Sequence, residues 1–227
     1  MKIKVIIFDL DDTLYNEIEF VHSGFREVAK RFSKISSIDE DKYYSFMLNE
    51  LKMKGRGKVF DNVLKTFNLY SKKNVKKSIS FYRTHIPNIN LPKESIEILT
   101  YFKNKNIPIY IVTDGNKLVQ ANKIKALKLD KFVSKSFITH RYGKIHAKPS
   151  TYCFEKIAKT EDVNFKNIVY IADNVNKDFI NIKKLGFQTI RIQKGMFKEA
   201  IRPIQYHAKY EIDNIIDLRN LIKTEED

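Results

Sequence analysis

Cysteine is nearly missing from this chain. Cys153 is the only one, so no internal disulfide can form, which fits a reducing compartment. It follows Tyr152 on an expected helix and reads as a packed core thiol rather than a nucleophile. Glycine and proline are scarce as well: seven and five residues exclude a collagen-like or low-complexity chain. Long apolar runs are absent. The N-terminal run ends at Asp9, too short for a secretory core segment or a membrane span, so a soluble, cytoplasmic protein without membrane contact is expected. The histidines, His22, His85, His140, His146 and His207, are scattered without the spacing of a zinc site. There is no internal repeat, and the acidic tail Glu225-Glu226-Asp227 is expected to be disordered.

What is present is core-forming material and positive charge. The 227 residues are 43% hydrophobic, enough for a sizeable core in one domain or one domain with an insertion. The net charge of +15 invites a nucleic-acid partner. Yet the lysines are spread over the whole chain and no nucleic-acid motif accompanies them. A field that attracts small anionic substrates is the more economical use.

The most informative stretch is Val5-Ile6-Ile7-Phe8-Asp9-Leu10-Asp11-Asp12-Thr13. β-Branched and aromatic residues in a run predict a strand buried on both faces. It ends in three carboxylates within four positions. Clustered anions at the mouth of a buried strand repel one another and lose solvation, so a positive partner is expected there, most simply a divalent cation.

After Tyr15 the apolar period changes to that of helices: Phe20 to Phe32, Tyr43 to Leu51, Val59 to Leu69 and Val75 to Tyr82. Ser36 to Glu40 reads as a loop and helix start, and Pro87 and Pro92 bracket a linker. Residues 17–88 are therefore expected to form an all-helical insertion, with residues 1–16 and 89–227 as an α/β core domain. That second part alternates. Helices are expected at Ser95–Asn104, Lys117–Leu127, Ser150–Ala158 and Asp178–Leu185, the last stopped by Gly186. Strands are expected at Ile107–Val112, Ile168–Ala172, Phe187–Ile192 and Tyr210–Ile212, with short extended pieces at Phe132-Val133 and Phe137–Thr139.

Three of these strands end alike: at Asp9-Leu10-Asp11, at Thr113-Asp114-Gly115-Asn116, and at Asp173-Asn174 with Asp178 beyond. In an open parallel sheet, ligands bind past the carboxyl ends of strands, near a topological switch point. Lys148, followed by Pro149, precedes the helix before the third of these strands.

The ordered set, D-x-D-x-T, strand–Thr, Lys-Pro and D-x-x-x-x-D, closely resembles the haloacid dehalogenase-like (HAD) hydrolase superfamily, most of whose members are phosphatases. The resemblance covers the α/β part, and the helical insertion sits where that family carries a C1-type cap. It implies a Rossmann-like parallel sheet with helices on both faces. It also implies a Mg²⁺-dependent phosphatase acting through an aspartyl-phosphate. Asp9 would be the nucleophile, and Asp11 the general acid and then base. Thr113 and the backbone amides of Asp114, Gly115 and Asn116 would hold phosphate oxygens, and Lys148 would neutralise charge on the transferring group. Mg²⁺ would be held by Asp9, the Asp11 carbonyl and Asp173, with Asn174 and Asp178 behind them or orienting Lys148. Asp12 reads as structural, turned away from the site.

Two departures are visible. Ala172 and Asp12 stand where many or some relatives have glycine. Retention of Asp11 speaks against dehalogenase and phosphonate chemistry, which do without that acid. In the insertion, Arg56, between Gly55 and Gly57, is expected to meet a second anionic or polar group of the substrate. Nucleotides, sugar phosphates and small organic phosphates all fit such a site. A phosphotransferase or mutase would use the same residues, and a non-catalytic basic binding module is the reading from another class. Monomer and dimer are both compatible with the sequence.

Overall fold

The computed structural model describes residues 2–223; the acidic tail Glu225-Glu226-Asp227 lies outside them. The chain divides into two compact units, Met1–Glu17 with Asn90–Asp227, and Ile18–Ile89.

The first unit is built on a six-stranded parallel sheet in the order β3-β2-β1-β4-β5-β6. Its strands are β1 (Val5–Phe8), β2 (Ile109–Thr113), β3 (Lys135–Ile138), β4 (Ile168–Ala172), β5 (Gln188–Ile192) and β6 (Tyr210–Ile212). β1 lies between β2 and β4, with Ile6 opposite Ile109 on one side and Val169 on the other. The strand order reverses at β1, which brings the ends of β1, β2 and β4 side by side.

Every residue of β1, β2 and β4 is buried. Val5 and Ile7 pack with Tyr110, Tyr170 and the helix α7 (Tyr152–Glu161), whose Cys153, Phe154 and Ile157 face them. Successive strand residues point to opposite faces, so Ile6 and Phe8, also fully buried, are covered from the other side. α5 (Lys93–Asn104) buries Ile98, Leu99 and Phe102, and each such side chain contributes about 1.5–3 kcal/mol of apolar burial. Cys153 is thus a core thiol, which burial pushes up to about 11, far from thiolate reactivity.

Two expected elements differ. Phe132-Val133 is not extended: the Leu129 carbonyl accepts from both the Phe132 and Val133 amides and closes a tight turn instead. The helix expected from Asp178 is the shorter α8 (Ile180–Lys184), which leaves Asp178 in the preceding turn. Gly186 (φ +96°) follows it, and the Phe187 amide reaches back to the Ile182 carbonyl, a helix stop that a side chain at a positive φ would strain.

The second unit is helical: α1 (Glu17–Ser33, whose first residue belongs to the first unit), α2 (Glu40–Lys54), α3 (Val59–Thr66) and α4 (Lys72–Thr84). Leu69 lies beyond α3, which ends at Thr66. Val21, Phe25, Val28, Phe32, Tyr43, Met47, Val63 and Leu64 form its core. Asp39 caps α2 through the Asp41 amide (2.8 Å), and Ser71 caps α4 through that of Asn74 (3.1 Å). Gly24 lets the Tyr82 ring lie against the α1 backbone, where a Cβ would collide with it. Arg56 is exposed between α2 and α3. No helix among the described residues is long and apolar enough to cross a membrane.

Candidate active site

Asp9 directly follows β1, and its amide continues the ladder by donating to the Ile171 carbonyl at 2.9 Å. The side chain is therefore fixed at the mouth of the most buried part of the sheet. A cavity of about 170 Å³ opens there, lined by Asp9, Asp11, Thr113, Asp114, Asp173 and Asn174, together with Asp12, Glu17, Lys177 and Phe197. The sheet thus brings together the polar ends of its three central strands.

Lys148 reaches this point from the segment before α7. It is almost fully buried, and its ammonium meets Asp9 Oδ1 (2.8 Å), Asp178 Oδ1 (2.8 Å) and the Tyr170 hydroxyl (2.9 Å). Three N–H groups therefore have three acceptors. Tyr170 passes its own hydrogen on to Asp178 at 3.1 Å. Asp178 does not cap α8; its second oxygen accepts from the Asn174 amide at 3.0 Å. Asn174 turns its side-chain oxygen to the Asn176 amide (3.0 Å) and does not touch Lys148, because that turn uses it locally.

The Asp114 side chain acts as an anchor. It accepts from the Thr139 hydroxyl (2.8 Å), the Lys148 amide (3.0 Å) and the Lys177 ammonium (2.6 Å), tying the end of β2 to the lysine-bearing loop. Burial opposes its charge, but Lys148 and Lys177 outweigh that and hold its carboxyl below the usual range. Gly115 (φ +131°) and Asn116 follow, and Asn116 caps α6 (Lys117–Ala126) through the Leu118 and Val119 amides.

Asp11 faces a set of donors that sequence reasoning missed. Lys123 donates to Oδ1 at 2.7 Å, Tyr15 to the same oxygen at 2.6 Å, and Gln120 to Oδ2 at 2.8 Å. Gln120 also donates to Thr113 Oγ1 at 2.6 Å. Burial works against the Asp11 charge, yet Lys123 and these hydrogen bonds hold its carboxyl low, and it is ionised. Asp12 is not turned away. It lines the cavity at φ +54°, taking the Glu17 amide at 2.8 Å and the Met196 amide at 3.5 Å. Gly195 passes so close beneath it that a Cβ there would collide with the carboxylate.

The anions need more charge than Lys148 supplies. Oxygens of Asp9, Asp173 and Asp178 all lie within 4.8 Å of one another. Burial pushes Asp9 up to about 6 against the pull of Lys148. Burial, then Asp9 and Asp178, push Asp173 to about 9. Asp178 is fully used by Lys148, Tyr170 and Asn174, whereas no described residue donates to the Asp173 carboxylate. Such hard, crowded oxygens fit a small divalent cation between Asp9 and Asp173.

Residues 3–186 match the family described as haloacid dehalogenase-like hydrolase. This chain belongs to that family. The HAD-like sheet of this hydrolase recurs in solved structures. The Bacillus subtilis protein YfnB, solved with magnesium bound, superposes with a TM-score of 0.70 at 15% identity over 97% of this chain and 99% of that one. A HAD phosphatase from Thermococcus onnurineus gives 0.59 at 22% over 97% of each. Among sequence relatives, a protein named glyceraldehyde 3-phosphate phosphatase from Methanocaldococcus jannaschii is 29% identical over 97% of both chains. One of the same name from Pyrococcus furiosus is 26% identical over 99% of this chain and 95% of its own.

Proposed function

We propose that this HAD-like hydrolase cleaves a small phosphomonoester by transferring the phosphoryl group to Asp9 and then to water. One observation supports this above all: Asp9 is held by Lys148 at the mouth of β1, in the same cavity as Thr113, Asp11 and Asp173. An Asp9 oxygen attacks phosphorus, the ester oxygen leaves, and Asp11 gives that oxygen its proton. Asp11 then takes a proton from water as the water attacks the phospho-aspartate, and inorganic phosphate departs.

In the present arrangement Lys123 keeps Asp11 ionised, the state required for the second half. An arriving phosphate dianion opposes that charge and favours the proton needed for the first half. Lys148 acts through its charge and by fixing Asp9, since its three donors are already committed. Thr113 and the amides of Asp114, Gly115 and Asn116 bind the phosphate oxygens.

Asp9 and Asp173, with the Asp11 carbonyl, would hold Mg²⁺, which supplies charge neutralisation for the phosphoryl oxygens. The sign of its effect on folding follows from Asp173. That group ionises at 3.8 when unfolded but holds its proton to about 9 when folded. Folding between these values takes up a proton, so stability is fully present below the lower value and is lost as pH rises through the higher one. In chelator, Tm should fall from about pH 6 to about pH 8, as the unfolding free energy drops by at most about 1.4 kcal/mol per pH unit for a full proton. Adding Mg²⁺ should raise Tm more at the higher pH. Equal Tm with chelator and Mg²⁺ at about pH 8 would count against the cation.

The names of the two relatives make glyceraldehyde 3-phosphate, a short phosphorylated aldehyde, the first substrate to test. Phosphate release should occur with it in a panel of nucleotides, sugar phosphates and small organic phosphates. It should stop with chelator and resume with Mg²⁺. Release from none of them, or phosphate appearing only on an added acceptor, would overturn the reading. In the same panel, Arg56→Ala should lower kcat/KM on the best substrate, and an unchanged value would remove Arg56 from substrate contact. The lone buried cysteine is in keeping with a cytoplasmic setting.

A further inference from the structure

The side chains that α6 buries are unusual ones for a helix interior, Gln120 and Lys123. They lie three residues apart, hence on one face, and that face is turned to Thr113 and Asp11. We propose that Gln120 is a positioning residue for phosphate binding: one amide nitrogen holds Thr113 and Asp11 together and turns the Thr113 hydroxyl hydrogen toward the cavity.

Donor and acceptor chemistry leaves one arrangement. The Lys123 ammonium and the Tyr15 hydroxyl both donate to Asp11 Oδ1, at 2.7 and 2.6 Å, the pattern of a carboxylate that accepts on both of its oxygens. The atom of Gln120 that faces Oδ2 must therefore be the nitrogen, which has two hydrogens and accepts nothing. Thr113 Oγ1, 2.6 Å from the same nitrogen, can then only accept. Its own hydrogen is left to point elsewhere, and Thr113 lines the cavity. A phosphate oxygen arriving there meets a donor aimed before binding, which avoids reorienting it during the reaction.

Neighbouring backbone fixes the amide. Asn116 sets the start of α6, and Gly115 leaves room beside Gln120, where a Cβ would lie 3.4 Å from its Cγ and Cδ. An isosteric glutamate would reverse the pattern. It brings a second carboxylate to Asp11 and makes Thr113 donate to it, withdrawing the hydrogen from the cavity.

This inference rests on the phosphatase reading, so its test contains a control for that reading. Gln120→Glu and Gln120→Met are each made alone and together with Thr113→Val. For every variant that folds, kcat/KM on an aryl phosphate and the inhibition constant of inorganic phosphate are measured. The inhibition constant reports on the phosphate slot without any proton transfer by Asp11. Alone, either Gln120 change should weaken phosphate inhibition and lower kcat/KM by about tenfold to a hundredfold.

With Thr113→Val already present, the same change should leave the inhibition constant within about threefold, because no hydroxyl remains to be aimed. A residue with only a structural role would cost the same in both backgrounds, and that result overturns the proposal. So does an inhibition constant unmoved by Gln120→Met, the variant that keeps the side-chain volume should the glutamate fail to fold. If Asp9→Asn were as active as wild type, or wild type inactive on every phosphomonoester, the phosphatase reading itself would fall.

Discussion

Asp9→Asn should lower turnover of an aryl phosphate by at least about a thousandfold while leaving the protein folded. The amide has the shape of the carboxylate but no anionic oxygen to attack phosphorus. Its effect on stability should run the other way. Asp9 sits among Asp173 and Asp178 with burial already pushing it up to about 6, so near neutral pH its charge is held against a desolvation cost. Removing that charge relieves the repulsion on Asp173, and Lys148 keeps its contacts with Asp178 and Tyr170. Tm in chelator should therefore stay level or rise. Activity above about one-tenth of wild type would refute Asp9 as nucleophile. A fall in Tm of several degrees would mean that the Asp9–Lys148 contact stabilises the fold more than it costs.

Lys148→Met should be the most damaging single change to stability. It removes the cation from between two buried carboxylates and leaves the Tyr170 hydroxyl without its donor. Breaking a buried pair from one side costs about 3–5 kcal/mol, because the remaining charge is uncompensated. For a chain of this size that corresponds to roughly 6–20 °C in Tm. The deficit should shrink on acidification, since Asp9, which burial already pushes up to about 6, can then take up a proton and no longer needs a counter-charge. Thermal melts at about pH 5 and about pH 8 test both the size and the trend. A Tm unchanged at the higher pH would show that the two carboxylates are satisfied without Lys148. Hydrolysis should fall as well, and here the two losses separate: at a temperature well below the lowered Tm, the remaining loss in kcat reports on charge at Asp9.

Asp9 was legible in the sequence for a local reason, whereas Lys148 was placed by the family resemblance. A run of apolar β-branched residues that stops at a carboxylate has few meanings, since burial and charge conflict within a few ångströms of chain. The same holds for Thr113 at the end of β2 and Asp173 after β4, each read from a run of the same kind. The period of apolar residues likewise announced the four helices that lie between residues 17 and 88.

Other features depended on what packs against what. Lys123 and Gln120 lie in a helix of weak amphipathic pattern, so no apolar face in the sequence marks them as buried. Their only signal was the spacing from each other and from Thr113, which carries no direction until α6 is docked. Asp114 looked like a companion of the phosphate slot through its amide, but its side chain became the tie between β2, Thr139 and Lys148 once β3 lay beside β2. Asp12 seemed to face away, and it took the return of the chain after β5, with Gly195 beneath it, to place it at the cavity. Asp178 was expected behind the metal ligands or orienting Lys148, and only the packing showed that Lys148 and the Asn174 amide take its two oxygens.

The sequence by itself therefore determined the strands, the helical insertion and which carboxylates end the central strands, because burial patterns and chain reversals are written in neighbouring residues. Only the tertiary structure decided what each polar side chain bonds to. Hydrogen bonds and ion pairs at the site join residues far apart in the chain, Asp9 and Lys148 by 139 positions and Asp12 and Met196 by 184. Such partners are chosen by the packing of the sheet and helices, not by any local pattern.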